Sequence, residues 1–100
     1  MKLVRDKIPS IIKLGGKEPE VDVINSKKEY LLWLKVKMDE ESQEFLQNPC
    51  LEEAADVYEV LLSFLHLTNL NLDDVIRTAN NKRKKKGSFT KGVLLRWKKI

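Results

Sequence analysis

The sequence predicts an all-α fold of about three main helices, with an extended N-terminal leader and a short C-terminal strap. Three observations predict it. Apolar residues recur at three- and four-residue spacing through 31–45, 51–65 and 72–79, the period of an amphipathic helix. Capping and stop residues divide these segments at Ser26, Asn48-Pro49, Asn71 and Gly87. Extended-chain signals are confined to the flanks, in Val21-Asp22-Val23-Ile24 and in the β-rich composition of Phe89 to Leu95.

The leader covers residues 1–25. Leu3-Val4-Arg5-Asp6-Lys7-Ile8-Pro9 reads as extended or turn-like up to the proline, because the residue before Pro is biased away from the α region. A short helix is expected over Ser10 to Leu14, capped by Ser10 and ended by Gly15-Gly16. The first long helix opens on a capping box, Ser26-Lys27-Lys28-Glu29. Its inner stripe is Leu31, Leu34, Met38, Glu41 and Phe45, so Glu41 stands where the pattern asks for an apolar residue.

Asn48-Pro49 stops that helix, and the second starts near Leu51 with Pro49 at its N-terminal end. Leu51, Ala54, Ala55, Tyr58, Leu61, Leu62 and Leu65 form its broad apolar face. Val57, Val60, Phe64 and Leu67 carry apolarity around much of the rest, which predicts a central helix. The third starts at Asn71, with Asp74 in its first turn and Leu72, Val75, Ile76 and Ala79 facing inward. Lys82-Arg83-Lys84-Lys85-Lys86 occupies its last turns, where cations suit the dipole, and Gly87 ends it. The tail from Phe89 to Leu95 is a short strand or an irregular strap.

A chain of 100 residues forms one domain, small enough for oligomerisation to help it materially. The longest apolar-rich stretch, Val57 to Leu67, is interrupted by Glu59, Ser63 and His66 and is too short to span a bilayer. Lys2, Arg5, Asp6 and Lys7 break any signal-peptide core. The single Cys50 excludes an intrachain disulfide and a cysteine-based zinc site, and it fits a cytoplasmic protein. Cys50 is expected to be a small buried residue, and His66, Trp33, Trp97, Tyr58 and Phe89 core or interface residues.

Charge is distributed unevenly. From Asp39 to Glu59 there are eight carboxylates and no Lys or Arg, in a chain whose net charge is +4. Like charges three or four apart destabilise a helix, so this span needs an external cation. A bound metal, rather than a side chain, is the expected counter-charge. Within the span lie Glu40-Glu41-x-x-Glu44 and Glu53-x-x-Asp56, one pattern on each helix. At about 100° per residue Glu44 falls about 60° from Glu41, and Glu53 about 60° from Asp56. Glu40 lies on the far flank of Glu44 and has the weaker claim. Two antiparallel helices about 8–10 Å apart bring such side chains to one ion. Carboxylates without His or Cys are hard ligands, suited to Mg²⁺ or alternatively Mn²⁺.

Taken together, Glu40-Glu41-x-x-Glu44 and Glu53-x-x-Asp56 resemble the signature of the MazG-like all-α nucleoside triphosphate pyrophosphohydrolases, a superfamily that includes the phosphoribosyl-ATP pyrophosphohydrolases. Lys2-Leu3-Val4-Arg5-Asp6-Lys7-Ile8-Pro9 is similar to the opening of the house-cleaning subgroup. Lys86-Gly87-Ser88-Phe89-x-Lys91-Gly92 is similar to that subgroup's Arg-Gly-Gly-Phe tail. The resemblance implies a helical bundle completed by dimerisation or a tetramer. It further implies hydrolysis of a nucleoside triphosphate between the α and β phosphates, giving a nucleoside monophosphate and pyrophosphate.

Carried over, it makes Glu41, Glu44, Glu53 and Asp56 magnesium ligands and Glu41 and Glu40 the catalytic carboxylates, Glu40 as a further ligand or the residue that positions water. Arg5, Lys7, Lys82 and Lys86 become substrate contacts. Lys86 departs from the family's usual Arg, which loses the bidentate fork. Two alternatives remain: phosphoribosyl-ATP hydrolysis, against which the N-terminal motif argues, and a basic nucleic-acid-binding module built on residues 82–99. The eight carboxylates oppose the second, and nucleic acid is not the expected partner.

Overall fold

A computed structural model describes residues 1–97. Its regular structure consists of four helices, α1 (Ile8–Leu14), α2 (Lys27–Gln47), α3 (Leu51–Leu67) and α4 (Leu72–Lys86), with no strand among the described residues. The all-α expectation is met, and the 89–95 tail is irregular rather than a strand. The chain divides into two compact units, Met1–Asn69 and Leu70–Ile100. No helix is long and apolar enough to cross a membrane among the described residues.

In the first unit, α1 begins earlier than the proline suggested. Pro9 sits in the first turn of the helix, where an amide proton has no intrahelical partner to lose. The pre-proline bias at Ile8 is therefore overridden, and Lys7 rather than Ser10 is the N-cap. A turn in which the Ile8 amide donates to the Arg5 carbonyl at 3.1 Å leads into the helix. At its end the Gly16 amide donates to Lys13 O and the Lys17 amide to Ile12 O, the Schellman pattern, with Gly16 at φ 89° supplying the left-handed residue.

Helices α2 and α3 pack against each other and are joined by only Asn48, Pro49 and Cys50, so they form an antiparallel hairpin. Ser26 Oγ accepts the Glu29 amide at 3.1 Å, which is the expected α2 cap. The expected α2 stripe faces inward, with Leu34 and Glu41 buried and Leu31, Met38 and Phe45 half-buried.

On α3 the packed face draws on both apolar sets. Val60 and Leu65 are buried and Ala54, Val57, Leu62, Phe64 and Leu67 half-buried, while Leu51, Ala55, Tyr58 and Leu61 are exposed. The reason is positional: Glu53 and Asp56 share a side with Val60, so turning these acids toward α2 turns Leu51 and Tyr58 away. Cys50 is the exposed N-cap of α3 rather than a buried residue, and His66 is exposed. Thr68 closes α3 by donating its hydroxyl to Phe64 O at 2.8 Å.

In the second unit, Asn71 caps α4 by accepting the Asp73 amide at 2.8 Å, and Asp73 and Asp74 occupy the first turn. Arg83, Lys84, Lys85 and Lys86 fill the last turn, and Gly87 at φ 84° ends it, as expected. Phe89 and Trp97 are exposed rather than core aromatics.

Candidate metal centre

The hairpin interface holds the acidic residues. Glu41, from the inner stripe of α2, is 7% exposed and is the one buried charged residue among those described. Opposite it, the first two turns of α3 present Glu53 and Asp56, both half-buried. One oxygen from each of Glu41, Glu53 and Asp56 lies within 4.8 Å of the other two. Three of the five acids in the two helical patterns, Glu41, Glu53 and Asp56, therefore converge, a consequence of the short turn and the shared inward face.

A buried carboxylate costs several kcal/mol unless it is paired or holds a metal. The pairing here is partial. Lys37 Nζ stands 3.2 Å from Glu41 Oε1 and 3.7 Å from Glu40 Oε2, with its side chain largely covered. Glu41 Oε2 and Glu53 Oε2 are buried with no hydrogen-bond partner. An ionised neighbour cannot satisfy them, because it has no proton to donate.

This donor set fits a hard divalent cation. Oxygens around one octahedral Mg²⁺ stand about 3 to 4 Å apart, so side-chain adjustment alone closes the three on an ion. With neither sulfur nor imidazole among the donors, the set suits Mg²⁺ or Mn²⁺ better than zinc.

Glu44 is outside this set of three and is exposed, yet it sits close to Glu41. A hydrogen bond with Glu41 and the charge of Glu41 push the Glu44 carboxyl above its ordinary range, helped by burial and the charges of Glu53 and Glu40. The two acids compete for one proton. Glu40, at the edge of the cup, is partnered by Lys2 at 3.3 Å as well as by Lys37.

Arg5 reaches the cup from the leader. Its Nη2 donates to Asp56 Oδ1 at 2.7 Å, across 51 residues of sequence. Leu3, Val4, Arg5 and Asp6 also wall a cavity of about 150 Å³ shared with Leu34, Lys37, Glu41, Asp56 and Val60. The expectation that no side chain balances the acidic span is thus corrected. Lys37, two residues before the span, and Lys2 and Arg5, in the distant leader, lie outside it in sequence and pair with it in space.

Of the other expected contacts, Lys7 caps α1 and its side chain is exposed. Lys82 and Lys86 are exposed on the last turns of α4, within the second unit. Lys37 is a member of the cup that helical patterning of the acids alone does not single out. Its signal is nevertheless present in the sequence, since a lysine four residues before Glu41 shares a helix face with it. Compared with family models, curated proteins and solved structures, the chain finds no match in any of the three.

Proposed function

We propose that this chain is a Mg²⁺-dependent nucleoside triphosphate pyrophosphohydrolase that cleaves between the α and β phosphates. The observation that carries the reading is Glu41: a carboxylate buried in an apolar stripe, one oxygen unpartnered, with Glu53 and Asp56 converging on it. Acids placed this way lower stability unless a cation repays them, which marks a site rather than a solvated face.

Glu41, Glu53 and Asp56 hold the ion, and Glu44, beside Glu41, is the fourth carboxylate of the expected set. When bound, Mg²⁺ polarises phosphate oxygens as a Lewis acid. Lys37 fixes Glu41 by one oxygen and leaves the other for the ion. Glu40, held by Lys37 at the edge of the cup, positions the attacking water and takes its proton. The water oxygen bonds to the α-phosphorus, and the bridging oxygen leaves with pyrophosphate.

Dimerisation belongs to the same proposal. The outward stripe of α3, with Leu51 89% and Tyr58 49% exposed, is an apolar surface of the kind a second copy covers. In this reading the chain completes its helical bundle as a homodimer.

The test is incubation with a panel of NTPs and dNTPs, and with phosphoribosyl-ATP, in the presence of Mg²⁺, with identification of the products. Nucleoside monophosphate plus pyrophosphate is expected. Diphosphate plus orthophosphate would overturn the cleavage position. No turnover, together with salt-sensitive oligonucleotide binding, would favour a nucleic-acid module built on the exposed cations of α4.

A further inference from the structure

We infer that the N-terminal leader is a cationic strap over the acidic cup, in which Arg5 competes with the divalent cation for Asp56 and lifts away when the cation binds. The inference rests on the metal-centre reading above and concerns how that centre is regulated.

Asp56 is one of the three converging carboxylates, and it is also the residue that Arg5 grips at 2.7 Å. Lys2 lies on Glu40 at 3.3 Å, so two of the leader's cations rest on two of the cup's acids. A guanidinium and a divalent ion on the same carboxylate repel each other, and each weakens the other's hold. Occupation of the centre therefore favours departure of Arg5.

The contact is built to yield. The Arg5 and Asp56 side chains are 56% and 39% exposed, and ion pairs this open are weak. Leu3 and Val4 add only part-covered apolar contact at the cavity wall. By contrast, the chain is anchored just beyond Arg5 by the turn from Arg5 O to the Ile8 amide and by α1. The strap can thus open at residues 1–5 without disturbing α1. Lys37 differs: it is largely covered, lies on α2 itself and stays in place.

The test is Mn²⁺ binding by calorimetry to the full chain, compared among wild type, Arg5→Gln and Arg5→Lys, with trypsin cleavage after Arg5 monitored in parallel. Arg5→Gln is expected to bind Mn²⁺ about two- to five-fold more tightly, the size an exposed ion pair allows. Arg5→Lys, which keeps the charge, is expected to stay near wild type. In the wild type, Mn²⁺ should speed cleavage after Arg5 relative to cleavage within α4. Equal or weaker Mn²⁺ binding by Arg5→Gln would overturn the strap and leave the metal centre standing. Arg5→Lys binding as tightly as Arg5→Gln would show that charge is not the cause, and would also overturn it. Absence of Mn²⁺ binding in all three proteins would remove the metal centre, and the strap with it.

Discussion

Two segments of this chain concentrate charge of a single sign, and the fold treats them in opposite ways. Glu41, Glu53 and Asp56 are drawn into the α2–α3 interface, where Glu41 is buried and two oxygens have no partner. The cations of α4, Lys82 to Lys86, are all exposed, and the dipole at that helix end favours them. Each run is of a single sign; the difference is desolvation. Water screens the basic run and makes it cheap to keep, whereas the acidic set carries a cost that only a binding partner relieves. A charge run becomes evidence of chemistry when the fold withholds solvent from it.

The largest effect should come from the hairpin's core. Leu34→Ala removes the most buried apolar side chain, 3% exposed and packed beside the cup. A loss of about 2–5 kcal/mol is expected by chemical denaturation. If the variant melted like wild type, the hairpin would not be the structural basis of the acidic site.

Next come the acids. Glu41→Gln and Asp56→Asn should each lower turnover at least about a hundred-fold, beyond what outer-shell partners of a metal typically cost, while helix content by circular dichroism is unchanged. Near-normal rates in either would sink the ligand assignment.

On the other side of the comparison, Lys84→Gln with Lys85→Gln should shift stability by no more than about 0.3–1 kcal/mol, the weight of dipole complementation. A larger loss would mean that the basic run is as structurally committed as the acidic one.

The smallest effect is a pH limb. Glu44 keeps its proton to higher pH in the folded protein than its ordinary value of 4.5. The folded state is therefore favoured below that value and loses the contribution as pH rises through the raised one. Thermal melts of Glu44→Gln should lack this limb; an unchanged profile would show that Glu44 does not share its proton with Glu41.

Legibility in the sequence tracks the range of the interactions. Ser26, Asn48-Pro49, Asn71 and Gly87 mark helix ends through contacts within four residues, so α2, α3 and α4 were legible. The start of α1 was not, because Pro9 permits a first turn as readily as it stops a preceding one. The packed face of α3 was ambiguous, since apolar residues run nearly all around it and only the acids break the tie. Glu41 was legible as a polar residue in an apolar stripe. The Arg5–Asp56 pair was not, because no local periodicity connects residues 51 positions apart.

The three-residue turn between α2 and α3 has a kinetic consequence. Glu41 and Asp56 are separated by 15 positions (56 − 41), so the converging acids meet by closing one short loop between two helices. Closures of that length take roughly 10–100 ns, and folds rich in local contacts form in about microseconds to milliseconds. All three converging acids precede α4 in the chain. Closure of the cup therefore uses only chain that precedes α4.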